Sequence, residues 1–200
     1  MTAAVAPIAG ATRVRAAAQL AVLLAALAGI TLVRAAINGT TVESAFVAGA
    51  LFGGALLAAA ALASQPLHLH RHSARAFVIG LGGGAAIVAV SLAAHPLAGL
   101  PVPPEPFALW AAVTCLVATG EEATLRGAIF DRARAAAGLG AAVLLTSALF
   151  ALMHVPLYGW SVVPVDFGAG LVLGGLRLLS GGVAAPAIAH AIADLATWWL

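Results

Sequence analysis

The stretch ATGEEATLRGAIF, residues 118–130, places two carboxylates and a guanidinium inside a chain that is otherwise almost wholly apolar. Of the 200 residues, 63% are hydrophobic and only 8% are charged, and the mean hydropathy is +1.09. Soluble domains carry about 25% charged residues. A soluble core of this length has no room for so much apolar surface, so the composition predicts a polytopic membrane protein.

Apolar runs long enough to cross about 30 Å of hydrocarbon alternate with polar or Pro- and Gly-rich breaks. The predicted fold is therefore all-α, a polytopic transmembrane helical bundle of about seven spans. The first run follows two arginines, as in a signal peptide, but its length and the spans behind it predict a retained helix. The predicted spans are residues 16–33, 42–63, 76–94, 107–130, 139–157, 163–179 and 183–200.

The basic residues are all arginines, and they are distributed unevenly between the two sides of the predicted bundle. Arg34 falls on one side, in a loop, and Arg126 lies in the opening stretch. The remaining arginines fall on the opposite side: Arg13, Arg15, Arg71, Arg75, Arg132, Arg134 and Arg177. Because arginine-rich loops stay in the cytosol, the N-terminus of a multi-pass protein of the cell membrane is predicted to be cytosolic. Such scattered arginines predict a lipid bilayer around the chain and no nucleic-acid partner.

Three G-x-x-x-G pairs lie within the predicted spans, and such pairs let helix backbones approach closely in lipid. We expect them to be helix-packing surfaces with no further role. They are Gly49 with Gly53, Gly80 with Gly84, and Gly170 with Gly174.

A small set of strongly polar side chains remains at membrane depth once the loops and span ends are set aside. An ionisable group at the middle of a spanning helix costs at least about 2.5–3.5 kcal/mol on insertion scales. The set therefore predicts a functional site, and the alternative is a structural network that holds helices together. Its members are Glu121, Glu122 and Arg126 in the fourth span, His154 in the fifth, and His190 and Asp194 in the seventh.

Helical spacing separates the tasks of these side chains. Glu122 and Arg126 are four residues apart, which is the spacing of an ion pair on one helix face. Glu121 lies about 100° round the helix, which leaves its carboxylate free to act as a base toward water. His190 and Asp194 share the four-residue spacing and can point into one cavity. A carboxylate and a histidine that activate water, with further polar groups for an oxyanion, are the parts that amide hydrolysis needs.

Three motifs carry a resemblance to a known family. GEEATLRG resembles the E-E-x-x-x-R motif of the CPBP family, which comprises the type II CAAX prenyl proteases and the bacteriocin-processing Abi proteins. FALMH resembles the family's F-x-x-x-H motif and HAIAD its H-x-x-x-N/D motif, and the order is the family's. The resemblance implies a metalloprotease-like intramembrane endopeptidase that cleaves a peptide or a membrane-protein substrate. It also implies that Glu122, Arg126 and Phe150 support the site structurally.

By the same resemblance, residues 107–200 form a catalytic core and residues 1–106 form N-terminal transmembrane spans, within a single membrane-embedded unit. Glu121 and His154 are implied to activate the catalytic water, and His190 and Asp194 to form the oxyanion site. The third motif often ends in Asn, but here it ends in Asp194. An ionised aspartate cannot donate to an oxyanion, so Asp194 would have to be protonated or would instead orient His190.

No cofactor is firmly implied by these residues. A glutamate with two histidines is a workable zinc set, so a divalent metal held by Glu121, His154 and His190 is an alternative. No H-E-x-x-H motif accompanies it. The alternating histidines of HLHRH, residues 68–72, are a second candidate metal site, although such a loop is more often a solvated turn beside the lipid headgroups.

Two other functions stay open from the residues alone. One is a catalytically silent membrane scaffold of the same fold, and the other is an ion-coupled transporter, since buried acids and histidines also mark ion paths. The sequence specifies neither the substrate nor the oligomeric state.

The depth of the polar residues sets a geometric requirement on any shared site. Counted from the arginine-rich ends of the spans, His154 lies about 22 Å deep, whereas Glu121 and His190 lie about 10–14 Å deep. Their convergence requires helix tilt, a break at Pro156 or Pro186, or span boundaries that differ from the predicted ones.

Overall fold

Helices account for nearly all of the residues that the computed structural model describes, which are 8–39, 42–63, 73–94 and 106–199. No strand occurs among these residues. The fourth helical rod, residues 107–137, is continuous and contains a π-helical segment in its middle. The helices are α1 (Ile8–Ile37), α2 (Val42–Ala63), α3 (Ser73–Ala94), α4 (Phe107–Glu122), the π segment (Ala123–Ile129), α5 (Phe130–Ala137), α6 (Leu139–Tyr158), α7 (Val163–Ser180) and α8 (Ala184–Ala196). The prediction of an all-α bundle of about seven spans is confirmed.

The outer surface of the bundle is apolar, as a lipid-facing surface must be. Val22, Leu62 and Val78 are more than half exposed on α1, α2 and α3. Five of the described helical stretches are long and apolar enough to cross a membrane, and α8 is apolar but shorter. The protein is a multi-pass membrane protein.

The rod formed by α4, the π segment and α5 lies at the centre of the bundle. α4 packs on α2 and α8, and the π segment contacts α1, α2, α6 and α7. Leu125 and Ile129 of the π segment are fully buried in a core shared with Phe52 and Leu56 of α2 and Phe150 of α6. The two glutamates of the opening stretch therefore lie on the innermost helix, and both are buried.

The three predicted G-x-x-x-G pairs all lie at helix–helix contacts, so their prediction as packing surfaces is confirmed. A Cβ atom on Gly170 would lie 2.8 Å from the Cα atom of Ser147 on α6. A Cβ atom on Gly80 would lie equally close to Ile188 of α8, at 2.8 Å. Each of these two glycines also faces a backbone atom of the neighbouring helix, Cα of Ser147 for Gly170 and the carbonyl oxygen of Ala185 for Gly80. A backbone atom cannot turn aside as a side chain can, so a larger residue would push the helices apart.

Contacts between helix termini define two ends of the bundle. Arg75 at the start of α3 donates to the carbonyl of Leu179 near the end of α7, at 3.1 Å. Arg132 of α5 donates to the carbonyl of Ala63 at the end of α2. α1 also begins on this side, which we call the arginine end. The described arginines that lie toward it are Arg13, Arg15, Arg75, Arg132, Arg134 and Arg177.

The opposite end carries a cluster of aromatic rings. Phe107 at the start of α4 lies 5.2 Å from Trp198, centroid to centroid, and Trp110 lies 4.8 Å from the same ring. Trp160, between α6 and α7, is exposed on this side. We call it the aromatic end, and its indole rings are typical of a membrane–water interface.

The observed helix bounds differ from the predicted spans mainly in the first and fourth rods. α1 extends to Ile37, and the fourth rod continues to Ala137. α6 runs through Pro156 without a break, and α8 already begins before Pro186. Neither proline breaks a helix, so any convergence of the polar residues comes from helix tilt and from the true helix bounds.

Candidate active site

A cavity of about 580 Å³ lies between the helices and is lined from α1, α2, α4, α6, α7 and α8. Its lining reaches the aromatic end at Trp110, Tyr158 and Thr197, near the ends of three helices. The ionisable groups in its lining are Arg34, Glu121, His154, Tyr158, Asp166, His190 and Asp194. The structure thus brings Glu121, His154, His190 and Asp194 around one space, although they lie on three helices.

The adjacent glutamates of α4 face different surroundings because successive helical residues point about 100° apart. Glu121 faces the cavity and its side chain is 1% exposed, whereas Glu122 points into the bundle and is 0% exposed. The helix then widens into the π segment, in which the N–H group of Phe130 reaches the carbonyl of Leu125, five residues earlier. Such π-helical turns occur frequently at functional sites.

Glu122 and Arg126 form the ion pair that their spacing predicts. Oε1 of Glu122 accepts from Nη1 of Arg126 at 2.7 Å and lies 3.0 Å from Nδ1 of His190. Arg126 also donates to the carbonyl of Gly170 on α7, at 3.1 Å, and its guanidinium lies 4.8 Å from the ring centroid of Phe150. These contacts offset part of the desolvation of both charges and tie α4 and the π segment to α6, α7 and α8. Oε2 of Glu122 and Nε of Arg126 have no hydrogen-bond partner among the described residues.

Both ring nitrogens of His190 face carboxylates. Nδ1 lies 3.0 Å from Glu122, and Nε2 lies 3.4 Å from Oδ2 of Asp194 and 3.8 Å from Oε2 of Glu121. Only a doubly protonated imidazole ring can donate from both nitrogens. The carboxylate of Asp194 is therefore placed to accept from His190 and hold the ring in position.

His154 is held by α6 and α7. Its Nδ1 lies 2.8 Å from the carbonyl oxygen of Phe150 and 3.3 Å from Oδ2 of Asp166. Both partners are acceptors, which assigns a hydrogen to Nδ1 and makes Nε2 the nitrogen through which a neutral ring would accept. The Phe150 ring lies edge-on to both imidazoles, with centroid separations of 4.9 Å to His154 and 5.2 Å to His190. Phe150 thus packs between the two histidines.

Arg34 corrects one reading of the sequence. Its assignment to a loop is wrong, because α1 continues to Ile37 and carries the guanidinium into the cavity. Nη1 of Arg34 lies 3.7 Å from Oε1 of Glu121, and Cζ lies 4.3 Å from the ring centroid of Phe52. The sequence held a signal for this: Asn38 and Gly39 are typical helix-stop residues, and they come after Arg34.

Asp166 is a second cavity residue that the sequence reading missed. It lies in the first turn of α7, where an acidic residue is favoured by the helix dipole, and it is partly buried against His154. The predicted span from residue 163 already contained it. An acidic residue inside a predicted span was the available signal.

The alternative zinc set of Glu121, His154 and His190 stays a prediction from the sequence. Within the described ranges, no group of three His, Cys, Asp or Glu side chains is arranged to hold a metal ion. The HLHRH segment, residues 68–72, lies outside the described residues.

The fold and the cavity define a class: a multi-pass helical membrane protein with a glutamate–histidine site inside the bundle. Residues 103–196 match the family model described as type II CAAX prenyl endopeptidase Rce1-like, and the match spans all three motifs. Over this region the chain is similar to the Rce1-like proteases, which confirms the resemblance predicted from the motifs. No curated protein and no solved structure shows a significant match to the chain.

Proposed function

We propose that the protein is an intramembrane endopeptidase that hydrolyses a peptide bond in a peptide or a membrane-protein segment. One observation carries the proposal. The Glu121 carboxylate borders a cavity within the bundle, and its Oε1 has no hydrogen-bond partner among the described residues. A buried acceptor of this kind is suited to hold a water molecule, and the family match supports proteolysis as the reaction that uses it.

In the proposed reaction, Glu121 is the general base. The oxygen of a cavity water bonds to the carbonyl carbon of the scissile peptide while one water proton passes to Glu121. The C–N bond then breaks, and the proton held by Glu121 moves to the leaving amine. His154 presents Nε2 as a second acceptor that orients the water, because Nδ1 is engaged with Phe150 and Asp166.

Glu122 is assigned a supporting role although it is chemically identical to Glu121. Its Oε1 already binds Arg126 and His190, and it is fully buried behind the cavity wall. Glu121 lines the cavity, whereas Glu122 is not among the lining residues and does not face a cavity water. Glu122 and Arg126 therefore hold His190 and the central helix in place.

The test compares the membrane peptidomes of cells that produce the wild-type protein or the Glu121→Gln variant. Glutamine has nearly the same shape but cannot accept a proton, so we expect the peptides released by the wild type to disappear. Asp131→Asn is the matched control because Asp131 is exposed at the arginine end. Identical peptidomes for the wild type and Glu121→Gln would favour the scaffold function, in which the polar groups only join helices.

We also propose an orientation in the membrane. The arginine end holds Arg13, Arg15 and Arg75, and the positive-inside rule supports a cytosolic location for it and for the N-terminus. The cavity reaches the aromatic end, at Trp110 and Thr197. In this orientation, substrate segments enter from the non-cytosolic side or sideways from the bilayer.

Cysteine labelling in intact cells tests the orientation. Cys115 is the single cysteine of the chain, so Cys115→Ala gives a background without thiols. Trp160 is exposed at the aromatic end and Ala137 is exposed at the arginine end. We expect a membrane-impermeant maleimide to label Trp160→Cys in intact cells and Ala137→Cys only after lysis. The reverse pattern would place the cavity on the cytosolic side.

A further inference from the structure

The two residues implied to form the oxyanion site, His190 and Asp194, leave no free donor for the oxyanion that peptide hydrolysis creates. Asp194 stands at the position where an asparagine amide would donate, and an ionised carboxylate only accepts. His190 is engaged from both sides, by Glu122 at Nδ1 and by Asp194 at Nε2. The contact between His190 and Asp194 therefore occupies the groups that would otherwise face the oxyanion. A preorganised donor at the developing charge is usually a large part of catalysis, so another group must supply it.

Arg34 is a cation of the cavity wall whose N–H groups are not all used in hydrogen bonds. Its Nη1 is 3.7 Å from Oε1 of Glu121, which is longer than a hydrogen bond. Its Nε is buried and has no hydrogen-bond partner among the described residues, and the same is true of Oε1 of Glu121. A buried polar atom without a partner costs about 1–3 kcal/mol. Arg34 and Glu121 therefore each carry a buried polar atom without a partner, and both residues line the same cavity.

The position of Arg34 is fixed by packing as well as by charge. Its guanidinium lies over the ring of Phe52, with Cζ 4.3 Å from the centroid, and its side chain is 15% exposed. The cation–π contact holds the guanidinium plane without occupying its N–H groups, which point along that plane. A donor that is already oriented costs no reorganisation when charge develops in front of it.

We propose that Arg34 is the oxyanion-binding residue of this cavity, an inference that rests on the proposed peptidase function. As the water oxygen bonds to the carbonyl carbon, the electron pair of the C=O bond moves to the carbonyl oxygen, which Arg34 binds. When the C–N bond breaks, that pair returns to re-form C=O and the amine leaves with the proton from Glu121. The competing interpretation is that Arg34 only neutralises Glu121.

Steady-state kinetics separate the two interpretations. The proteins are reconstituted in phospholipid liposomes and assayed with a library of internally quenched apolar peptides. For Arg34→Gln we expect kcat to fall about 100- to 1,000-fold, the effect of removing one oxyanion donor, with KM nearly unchanged. Adding Asp194→Asn to Arg34→Gln is expected to restore at least about tenfold, because its amide can donate. A kcat within about threefold of wild type, or no restoration by Asp194→Asn, would overturn the proposal.

A binding measurement tests Arg34 without turnover. A phosphinic peptide carries a tetrahedral anion that resembles the intermediate, and transition-state analogues report differential binding directly. We expect Arg34→Gln to lose about 100-fold in affinity for the phosphinic peptide and almost none for the parent peptide. Equal losses of affinity for both peptides, or no loss for either, would contradict an oxyanion role. Because only binding is measured, this test does not require that the protein cleaves a peptide.

The controls separate this inference from the proposed function. Arg15→Gln removes an exposed arginine from the arginine end of the same helix, and we expect it to match the wild type. Thermal unfolding in detergent checks that Arg34→Gln is folded. If the wild type and Glu121→Gln are equally inactive, the peptidase function fails. If the wild type cleaves peptides and Arg34→Gln cleaves them equally well, only the inference about Arg34 fails.

Discussion

Two neighbouring regions of the central rod use the same residue types for opposite purposes. In the cavity wall, Glu121 lies beside Arg34 at 3.7 Å, and both keep a buried polar atom without a partner. In the packed layer behind it, Oε2 of Glu122 and Nε of Arg126 also lack a partner, but Glu122 meets Arg126 directly at 2.7 Å, and the pair is extended by further contacts to Gly170 and Phe150. The first region borders a cavity, whereas the second is fully buried.

The difference teaches how to assign roles to buried charges. A buried pair in direct hydrogen-bonding contact stabilises the helices around it, and removing one partner leaves a costly charge. A pair that stays apart beside a cavity is available to a ligand or a water molecule. Substitutions in the packed layer should therefore change stability more than those in the cavity wall.

The largest effect on stability is expected from Arg126→Met. The substitution leaves Glu122 buried without its cation, and breaking a buried pair in this way costs about 3–5 kcal/mol. Unfolding by SDS titration from mixed micelles measures the loss. The double variant Glu122→Gln with Arg126→Met is the control, and we expect it to recover much of the stability because no charge remains uncompensated. An unfolding curve for Arg126→Met that coincides with the wild type would show that the packed layer is not structural.

An intermediate effect is expected from Gly170→Ala, which probes the contact between α6 and α7. Its Cβ would lie 2.8 Å from the Cα atom of Ser147, so the helices must separate, at a cost of about 1–3 kcal/mol. Gly175→Ala on the same helix is the matched control, since a Cβ there meets nothing within 4 Å. We expect Gly175→Ala to be neutral or slightly stabilising in the same titration. Equal behaviour of the two variants would contradict the close approach of the helices.

Most of the fold could be predicted from the sequence because it depends on local rules. The second span, residues 42–63, coincides with α2, since polar or flexible residues bound an apolar run of membrane length. The Glu122–Arg126 pair followed from spacing on one helix. The π segment that begins at Ala123 could not be predicted, because it widens the helix without changing the apolar pattern of its sequence.

The parts of the site that escaped prediction depend on tertiary structure. Arg34 was assigned to a loop because an arginine near the end of a predicted span indicates orientation in the membrane. Only the packing of α1 against α2 brings its side chain next to Glu121. Asp166 gains its significance from His154, which lies on another helix. The tilt and packing of the helices bring their ends together around the cavity, and the order of the helices along the chain does not predict this arrangement.

The smallest effect is expected from Asp166→Asn in the cavity wall. Asp166 is 22% exposed and His154 also has the carbonyl of Phe150 as a partner, so stability should change by less than about 0.5 kcal/mol. We expect kcat in the quenched-peptide assay to fall about tenfold or less, because the amide oxygen of Asn can still accept from Nδ1 while the negative charge that favours this tautomer is lost. His154→Gln, which removes the imidazole itself, should cost more. If kcat fell as far for Asp166→Asn as for Glu121→Gln, the carboxylate of Asp166 would itself take part in the chemistry. The assignment of Glu121 as the base and His154 as its partner would then be wrong.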